Sequence, residues 1–178
     1  MDGRRPTGNR SGTAEIGRER QQPVRRGFAL DYGLDLYFEI HGSGRPLVLL
    51  HGGLLTVDLT FGPLLTTLSG DCQVIGVELQ GHGHTADIDR PMRLEDLAGD
   101  VASLLEYLDI AEADVFGFSL GGMVALALVL DRPDLIGRLV IASVDHRPGH
   151  AEFEAREDPD MPRRMPTESD FRAMRGPL

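Results

Sequence analysis

The sequence contains no lysine and no tryptophan, and Cys72 is its single cysteine. All 18 basic side chains are therefore arginines, which we interpret as a bias of genome composition without functional meaning. One cysteine cannot form a disulfide within the chain, and it excludes both a disulfide framework and a cysteine zinc site. Because Cys72 directly precedes the apolar run 74–77, we expect a buried structural thiol.

Long apolar runs are also missing. No stretch reaches the roughly 18 apolar residues that a membrane-spanning helix requires. The first residues carry Arg4 and Arg5 without the apolar segment of a secretory signal behind them. We therefore expect a cytoplasmic protein that has no membrane partner.

The formal net charge is −10, and its distribution is uneven. Seven arginines lie in residues 1–26, so the remaining chain is more acidic than the average. An acidic body argues against a nucleic-acid partner. Residues 1–26 are rich in Arg, Gly, Gln, Ser and Pro without periodicity, and we expect them to form a disordered leader.

The pattern after residue 26 predicts an α/β fold. Alternating apolar residues over 28–40, interrupted at Gly33, indicate two antiparallel strands joined by a tight turn. Apolar runs without alternation are typical of strands that helices cover on both faces. Such runs occupy 47–50, 73–79, 115–118 and 139–142. With helical segments between them, they predict a doubly wound, mostly parallel sheet.

Three segments have helical spacing. The segment 58–68 has a predicted kink at Gly62-Pro63, with Leu59, Leu64, Leu65 and Leu68 as candidate core positions. The segment 93–108 places its leucines and Val101 on one stripe and its acidic residues opposite, as in an amphipathic helix. A third helix starts after Ser119 and ends near Asp131.

The third helix follows the pentapeptide Gly117-Phe118-Ser119-Leu120-Gly121, which has the spacing G-x-S-x-G. A serine in a tight turn between a strand and a helix projects its hydroxyl above the sheet. Small residues at the two glycine positions allow the backbones to approach closely. The start of the helix offers unpaired N–H groups and the positive end of the helix dipole to a developing negative charge. The motif therefore indicates a nucleophilic serine.

Over residues 28–143 the chain resembles the α/β-hydrolase superfamily, in its branch of serine-nucleophile esterases and perhydrolases. An apolar strand leads into His51-Gly52-Gly53, and residues 80–85 are similar to the D-x-x-G-x-G-x-S loop of the family. The amphipathic helix and the turn at Ser119 then follow in the order of the family. Glu78 or Gln80 stands near the usual aspartate and Thr85 replaces the usual serine, which we interpret as variation in a structural turn.

The resemblance implies a role for several residues. Ser119 matches the nucleophile, and the oxyanion hole corresponds to the backbone N–H groups of Leu120 and of Gly53 or Leu54. His51 matches a scaffold histidine of the family rather than a catalytic base. We interpret His82 and His84 as residues that form hydrogen bonds within their loop. No metal or organic cofactor is implied.

The acid and the histidine of the catalytic triad follow the nucleophile in the family, and neither has a clear match in this chain. Asp145 with His146 or His150 could form a local triad, but adjacent residues of an extended strand point in opposite directions. We expect residues 27–144 to form the N-terminal part of the hydrolase core. Residues 145–178 would begin a helical cap in a truncated chain, with a helix starting near Thr167.

Two functions stay open at this point. The first is a serine hydrolase that cleaves a small carboxylic ester, or a related acyl or C–C substrate, through an acyl-enzyme. The alternative is a non-catalytic fragment of such a fold that lacks the triad acid and histidine. In either case a sheet edge beyond residues 139–143 favours self-association.

Overall fold

The structure is a computed structural model, and it describes residues 22–31 and 33–144. The described residues alternate strands and helices. The strands are β1 (Arg25–Asp31), β2 (Leu34–His41), β3 (Arg45–Leu50), β4 (Cys72–Val77), β5 (Ala113–Phe118) and β6 (Ile136–Ala142). The helices are α1 (Val57–Leu68), α2 (Leu94–Tyr107) and α3 (Leu120–Asp131), and a short 3₁₀ turn (Pro133–Leu135) precedes β6.

The six strands form one sheet in the order β1-β2-β4-β3-β5-β6. β1 pairs antiparallel with β2, and β2 pairs antiparallel with β4. β4, β3, β5 and β6 are mutually parallel. This confirms the predicted mostly parallel α/β sheet and the hairpin, whose turn contains Gly33 at a φ of 89°.

Two apolar cores cover the two faces of the sheet. The larger core joins α2 and α3 to the sheet through Leu97, Val101 and Val124. The smaller core joins α1 to the other face, where the rings of Phe61 and Phe116 meet edge to face at 5.2 Å. Helices on both faces are what the unalternating apolar strands require.

The predicted core residues of α1 are partly wrong. Leu65 is buried and Leu68 packs against the smaller core, but Leu59 and Leu64 are 57% and 44% exposed. Val57, Phe61 and Leu65 face the sheet instead, because positions four apart lie on one helix face. The helix also continues through Pro63 as one element, so it does not end at the position of the predicted kink.

The folded part begins earlier than predicted. β1 starts at Arg25, and the N–H of Val24 already donates to the carbonyl of Ile40 at 2.8 Å, so residues 24–26 do not belong to a disordered leader. The Arg25 guanidinium lies 5.4 Å from the centre of the Phe38 ring. This cation–π contact holds Arg25, one of the seven arginines of residues 1–26, against the sheet. Residues 1–21 of the predicted leader lie outside the described residues.

Cys72 begins β4 and is a free, partly buried thiol beside the smaller core, so it is less buried than expected. Among the described residues, no helix has both the length and the apolar character needed to cross a bilayer.

We predict that Phe61→Ala lowers the free energy of unfolding by about 3–5 kcal/mol, because it leaves a cavity between α1 and β5. The matched control is Leu59→Ala in the same helix, which should change the free energy by no more than about 0.5 kcal/mol because this side chain is exposed. Urea unfolding followed by circular dichroism measures both. Equal losses would show that α1 packs with a different face.

The self-association expected from the sequence stays a prediction. In the described part of the chain β6 forms one edge of the sheet, and Val140 on this strand is 53% exposed. We predict that light scattering after size exclusion gives a mass above that of the monomer, and that Val140→Lys lowers this mass because charge on an edge strand opposes pairing. A clean monomer that unfolds cooperatively would contradict this prediction.

Candidate active site

Ser119 lies in the turn between β5 and α3 and has a φ of 51° and a ψ of −114°. This left-handed region is unfavourable for a residue other than glycine. The backbone around it is held on both sides, because the Ser119 N–H donates to the Ala142 carbonyl at 2.9 Å. The Ser119 carbonyl in turn accepts from the N–H groups of Gly122 and Met123. Strain maintained by its surroundings is a feature of functional turns.

Ser119 stands at the N-cap position of α3, but its hydroxyl makes no capping hydrogen bond. A serine that only capped the helix would accept from an N–H group of the first turn. The Ser119 hydroxyl thus does not perform the capping role that is common for serine at a helix start.

Gly117 and Gly121 are required by close packing of the backbone. A Cβ atom on Gly117 would overlap the carbonyl of Gly121 and lie 2.6 Å from the Cα of Gly122. A Cβ atom on Gly121 would overlap the Leu50 carbonyl and lie 2.7 Å from the carbonyl oxygen of His51. These contacts are the close approach that the G-x-S-x-G spacing predicted.

The loop after β3 lies beside the start of α3. The Gly121 N–H donates to the His51 carbonyl at 3.0 Å, which ties the helix to this loop. A Cβ atom on Gly53 would lie 3.8 Å from Cδ2 of Leu120, so the two predicted oxyanion residues are neighbours. Within the described residues, the N–H groups of Gly53 and Leu120 have no acceptor. Two adjacent unpaired donors can stabilise the negative oxygen of a tetrahedral intermediate.

The structure favours Gly53 over Leu54 as the donor from this loop. The Leu54 N–H donates to Nε2 of His82 at 3.2 Å, so it is already engaged. Leu54 also has a φ of 61°, in the left-handed region. The sequence left the two residues as alternatives, since a backbone donor has no side-chain signature.

His51 is fully buried between the loop and β4. Its Nδ1 lies 2.8 Å from the Gly52 carbonyl, and its Nε2 accepts from the Leu79 N–H at 3.1 Å. Burial lowers the pKa of His51 from 6.5 to about 4. A neutral imidazole with both nitrogens engaged holds the loop, which agrees with a scaffold role and not with a catalytic base.

Hydrogen bonds hold the turn 80–85, as predicted for its histidines. The Glu78 carboxylate accepts from the His84 N–H at 2.6 Å and lies 2.8 Å from Nδ1 of His84. The Thr85 hydroxyl donates to the Glu78 carbonyl at 2.6 Å and accepts from the Tyr37 N–H at 2.9 Å. Glu78 and Thr85 therefore both stabilise this turn, as expected for residues of a structural turn.

Sequence reasoning missed the ion pair that holds the next segment. Asp100 was counted among the solvent-facing acids of α2, but it is only 2% exposed and pairs with Arg90 at 2.7 Å. Arg90 also donates to the side-chain oxygen of Gln80 at 2.6 Å, which joins α2 to the turn 80–85. The burial of Asp100 could have been predicted from its position, because it lies three residues after Leu97 and four before Leu104 and so shares their helix face.

The candidate triad partners Asp145, His146 and His150 lie outside the described residues, as does the predicted cap 145–178. Both ring nitrogens of His51 and of His82 are engaged in the loops. Neither histidine can take the Ser119 proton in this arrangement.

We predict that the depressed pKa of His51 makes stability fall with acid between pH 6.5 and about pH 4. In this interval the unfolded chain binds a proton at His51 and the folded chain does not, so the free energy of unfolding falls as pH decreases, by about 3 kcal/mol in total. Urea unfolding at several pH values measures this change. The variant His51→Gln should show a smaller loss over the same interval, and an equal loss would contradict the assignment.

The chain is similar to known hydrolases. A family model described as the alpha/beta hydrolase fold matches residues 45–171. The pyrrolizixenacetamide deacetylase of Xenorhabdus hominickii is 32% identical over 102 residues, which are 57% of this chain and 38% of that enzyme. The (E)-2-((N-methylformamido)methylene)succinate hydrolase of Acinetobacter baylyi is 28% identical over 119 residues, 67% of this chain and 44% of that enzyme.

A solved structure shows the same fold. The epoxide hydrolase CorEH aligns with a TM-score of 0.64 at 28% identity, and the alignment covers 71% of this chain and 47% of that chain. The chain thus spans less than half the length of these three relatives. Since the family model matches more than half of the sequence, the chain belongs to the alpha/beta hydrolase fold family.

Proposed function

We propose that Ser119 is the nucleophile of a serine hydrolase that acts on small carboxylic esters. The observation that carries the proposal is the strained turn at Ser119, with Gly53 and Leu120 next to each other beside it. The Ser119 oxygen would attack the ester carbonyl, and the N–H groups of Gly53 and Leu120 would stabilise the oxyanion.

Collapse of this intermediate breaks the bond to the alcohol, which leaves with the serine proton and gives an acyl-enzyme. Water then attacks the acyl-enzyme, releases the carboxylic acid and restores the Ser119 hydroxyl. Both steps need a general base that accepts and returns a proton. Both ring nitrogens of His51 and of His82 are engaged in hydrogen bonds, so the proposal does not assign this base to either of them.

The substrate class is supported by the nucleophile and by the relatives. One relative is named a deacetylase, which describes cleavage next to the carbonyl carbon of an acetyl group, and another is named a hydrolase of a formamido compound. An epoxide hydrolase has the same fold, but the family resemblance implies an aspartate nucleophile for that chemistry, whereas this chain has serine. Related acyl and C–C substrates have the same electrophilic carbon and belong to the same proposal.

The alternative is a non-catalytic fragment of the hydrolase fold. The engaged nitrogens of His51 and His82 favour it, because a serine without an activating histidine loses most of its rate. A small-molecule substrate, a cytoplasmic location and the lack of a cofactor or nucleic-acid partner stay predictions.

We predict that a fluorophosphonate probe labels Ser119 in the folded chain, because phosphonylation requires an activated serine. Intact-mass and peptide mass spectrometry locate the adduct. Ser119→Ala is the negative control, and heat-denatured protein shows the background reaction of unfolded serines. A folded chain that stays unlabelled would contradict the enzyme and support the non-catalytic fragment.

A further inference from the structure

We propose that His82, in the turn 80–85, is a positioning residue of the oxyanion hole. It holds the peptide between Gly53 and Leu54. The proposal rests on the proposed function, because it concerns the geometry of the same donor pair. It goes beyond the family resemblance, from which we interpreted His82 only as a residue forming hydrogen bonds within its own loop.

The ring of His82 connects two loops through its two nitrogens. Nδ1 lies 2.8 Å from the Gln80 carbonyl within the turn. Nε2 lies 3.2 Å from the Leu54 nitrogen in the loop after β3, residues 51–56, which we call the oxyanion loop. A backbone N–H can only donate, so Nε2 must be the acceptor. A carbonyl can only accept, so Nδ1 must carry the proton. These contacts assign His82 as a neutral imidazole in the Nδ1–H tautomer.

The Leu54 peptide needs such a partner. Leu54 has a φ of 61° and its side chain is 57% exposed, so burial does not hold it in this unfavourable conformation. The hydrogen bond to His82 restrains the Leu54 N–H directly, and the turn bond from the Leu55 N–H to the Gly52 carbonyl restrains the next residue. Without the hydrogen bond from the Leu54 N–H to His82, the peptide between Gly53 and Leu54 could rotate.

The two peptides that flank Gly53 are therefore restrained by two histidines. His51 Nδ1 holds the Gly52 carbonyl, and because the peptide unit is planar and trans, the Gly53 N–H of that unit points the opposite way. His82 holds the peptide on the other side of Gly53. Both rings are neutral, and their centres lie 5.0 Å apart.

The backbone of His82 is itself well fixed, so the ring acts from a rigid support. Its N–H donates to the Leu79 carbonyl and its carbonyl accepts from the Thr85 N–H, both at 3.0 Å. Arg90, which pairs with the buried Asp100, holds Gln80 at the start of the same turn. The turn 80–85 thus supports the oxyanion loop from outside it.

The first test observes the tautomer in the wild-type chain and needs no variant. Long-range ¹H–¹⁵N NMR of the histidine rings should show a protonated Nδ1 and an unprotonated Nε2 for His82. A protonated Nε2 in the neutral ring would overturn the proposal, whether or not Ser119 reacts with a probe.

The second test compares His82→Gln with His82→Phe. Glutamine has a side-chain oxygen that can accept from the Leu54 N–H, whereas phenylalanine fills the space without an acceptor. Hydrogen exchange of the Leu54 amide should stay close to wild type in His82→Gln and become at least about tenfold faster in His82→Phe. Unchanged exchange in His82→Phe would overturn the proposal, and unfolding curves verify that both variants fold.

The third test links the loop to reactivity. Fluorophosphonate labelling of Ser119 should slow by about 10- to 100-fold in His82→Phe and recover in His82→Gln, because a displaced donor stabilises the oxyanion poorly. Equal labelling rates in wild type and His82→Phe would overturn the proposal. If the wild type itself is not labelled, the proposed function fails, and the tautomer and the Leu54 exchange still decide the role of His82.

Discussion

The structure depends on the close contact between the start of α3 and the ends of β3 and β5. Gly121 packs directly against the carbonyls of Leu50 and His51, and Gly117 packs against Gly121. No side chain fits into either contact, so the helix begins immediately after the strand and Ser119 is forced into the left-handed region. Because the Gly121 N–H donates to the His51 carbonyl, the same contact brings the loop with Gly53 beside the turn at Ser119. Ser119 and the two proposed oxyanion donors are therefore positioned by one packing constraint.

Two neutral imidazoles, those of His51 and His82, hold the loops around this contact. His51 and His82 each accept a backbone N–H at Nε2, from Leu79 and from Leu54, and each has a carbonyl beside Nδ1. An imidazole can donate and accept at once only while it is neutral, and the low pKa of His51 follows from its burial. Both histidines thus hold backbone groups of the two loops, and neither has a ring nitrogen available to Ser119.

The sequence predicted the sheet, the order of its elements and the turn at Ser119, because these depend on apolar runs and glycines that are visible locally. It placed Leu59 on the wrong face of α1 and Asp100 on the outer face of α2, since burial depends on neighbours distant in sequence. The start of β1 at Arg25 was missed because its first two residues are arginines, which belong to the strand through their pairing with Ile40 and Glu39 and not through an apolar pattern. The hydrogen bond between Leu54 and His82 joins residues 28 positions apart, and no local sequence pattern indicates it.

The most direct test of the central claim is a crystal structure of the chain with a phosphonate bound to Ser119. The phosphonyl group resembles the tetrahedral intermediate, so its oxygen marks the place of the oxyanion. The account predicts that this oxygen lies about 2.7–3.1 Å from the backbone nitrogens of both Gly53 and Leu120. An adduct on Ser119 whose oxygen contacts neither nitrogen, or binds the Leu54 N–H in place of Gly53, would contradict it.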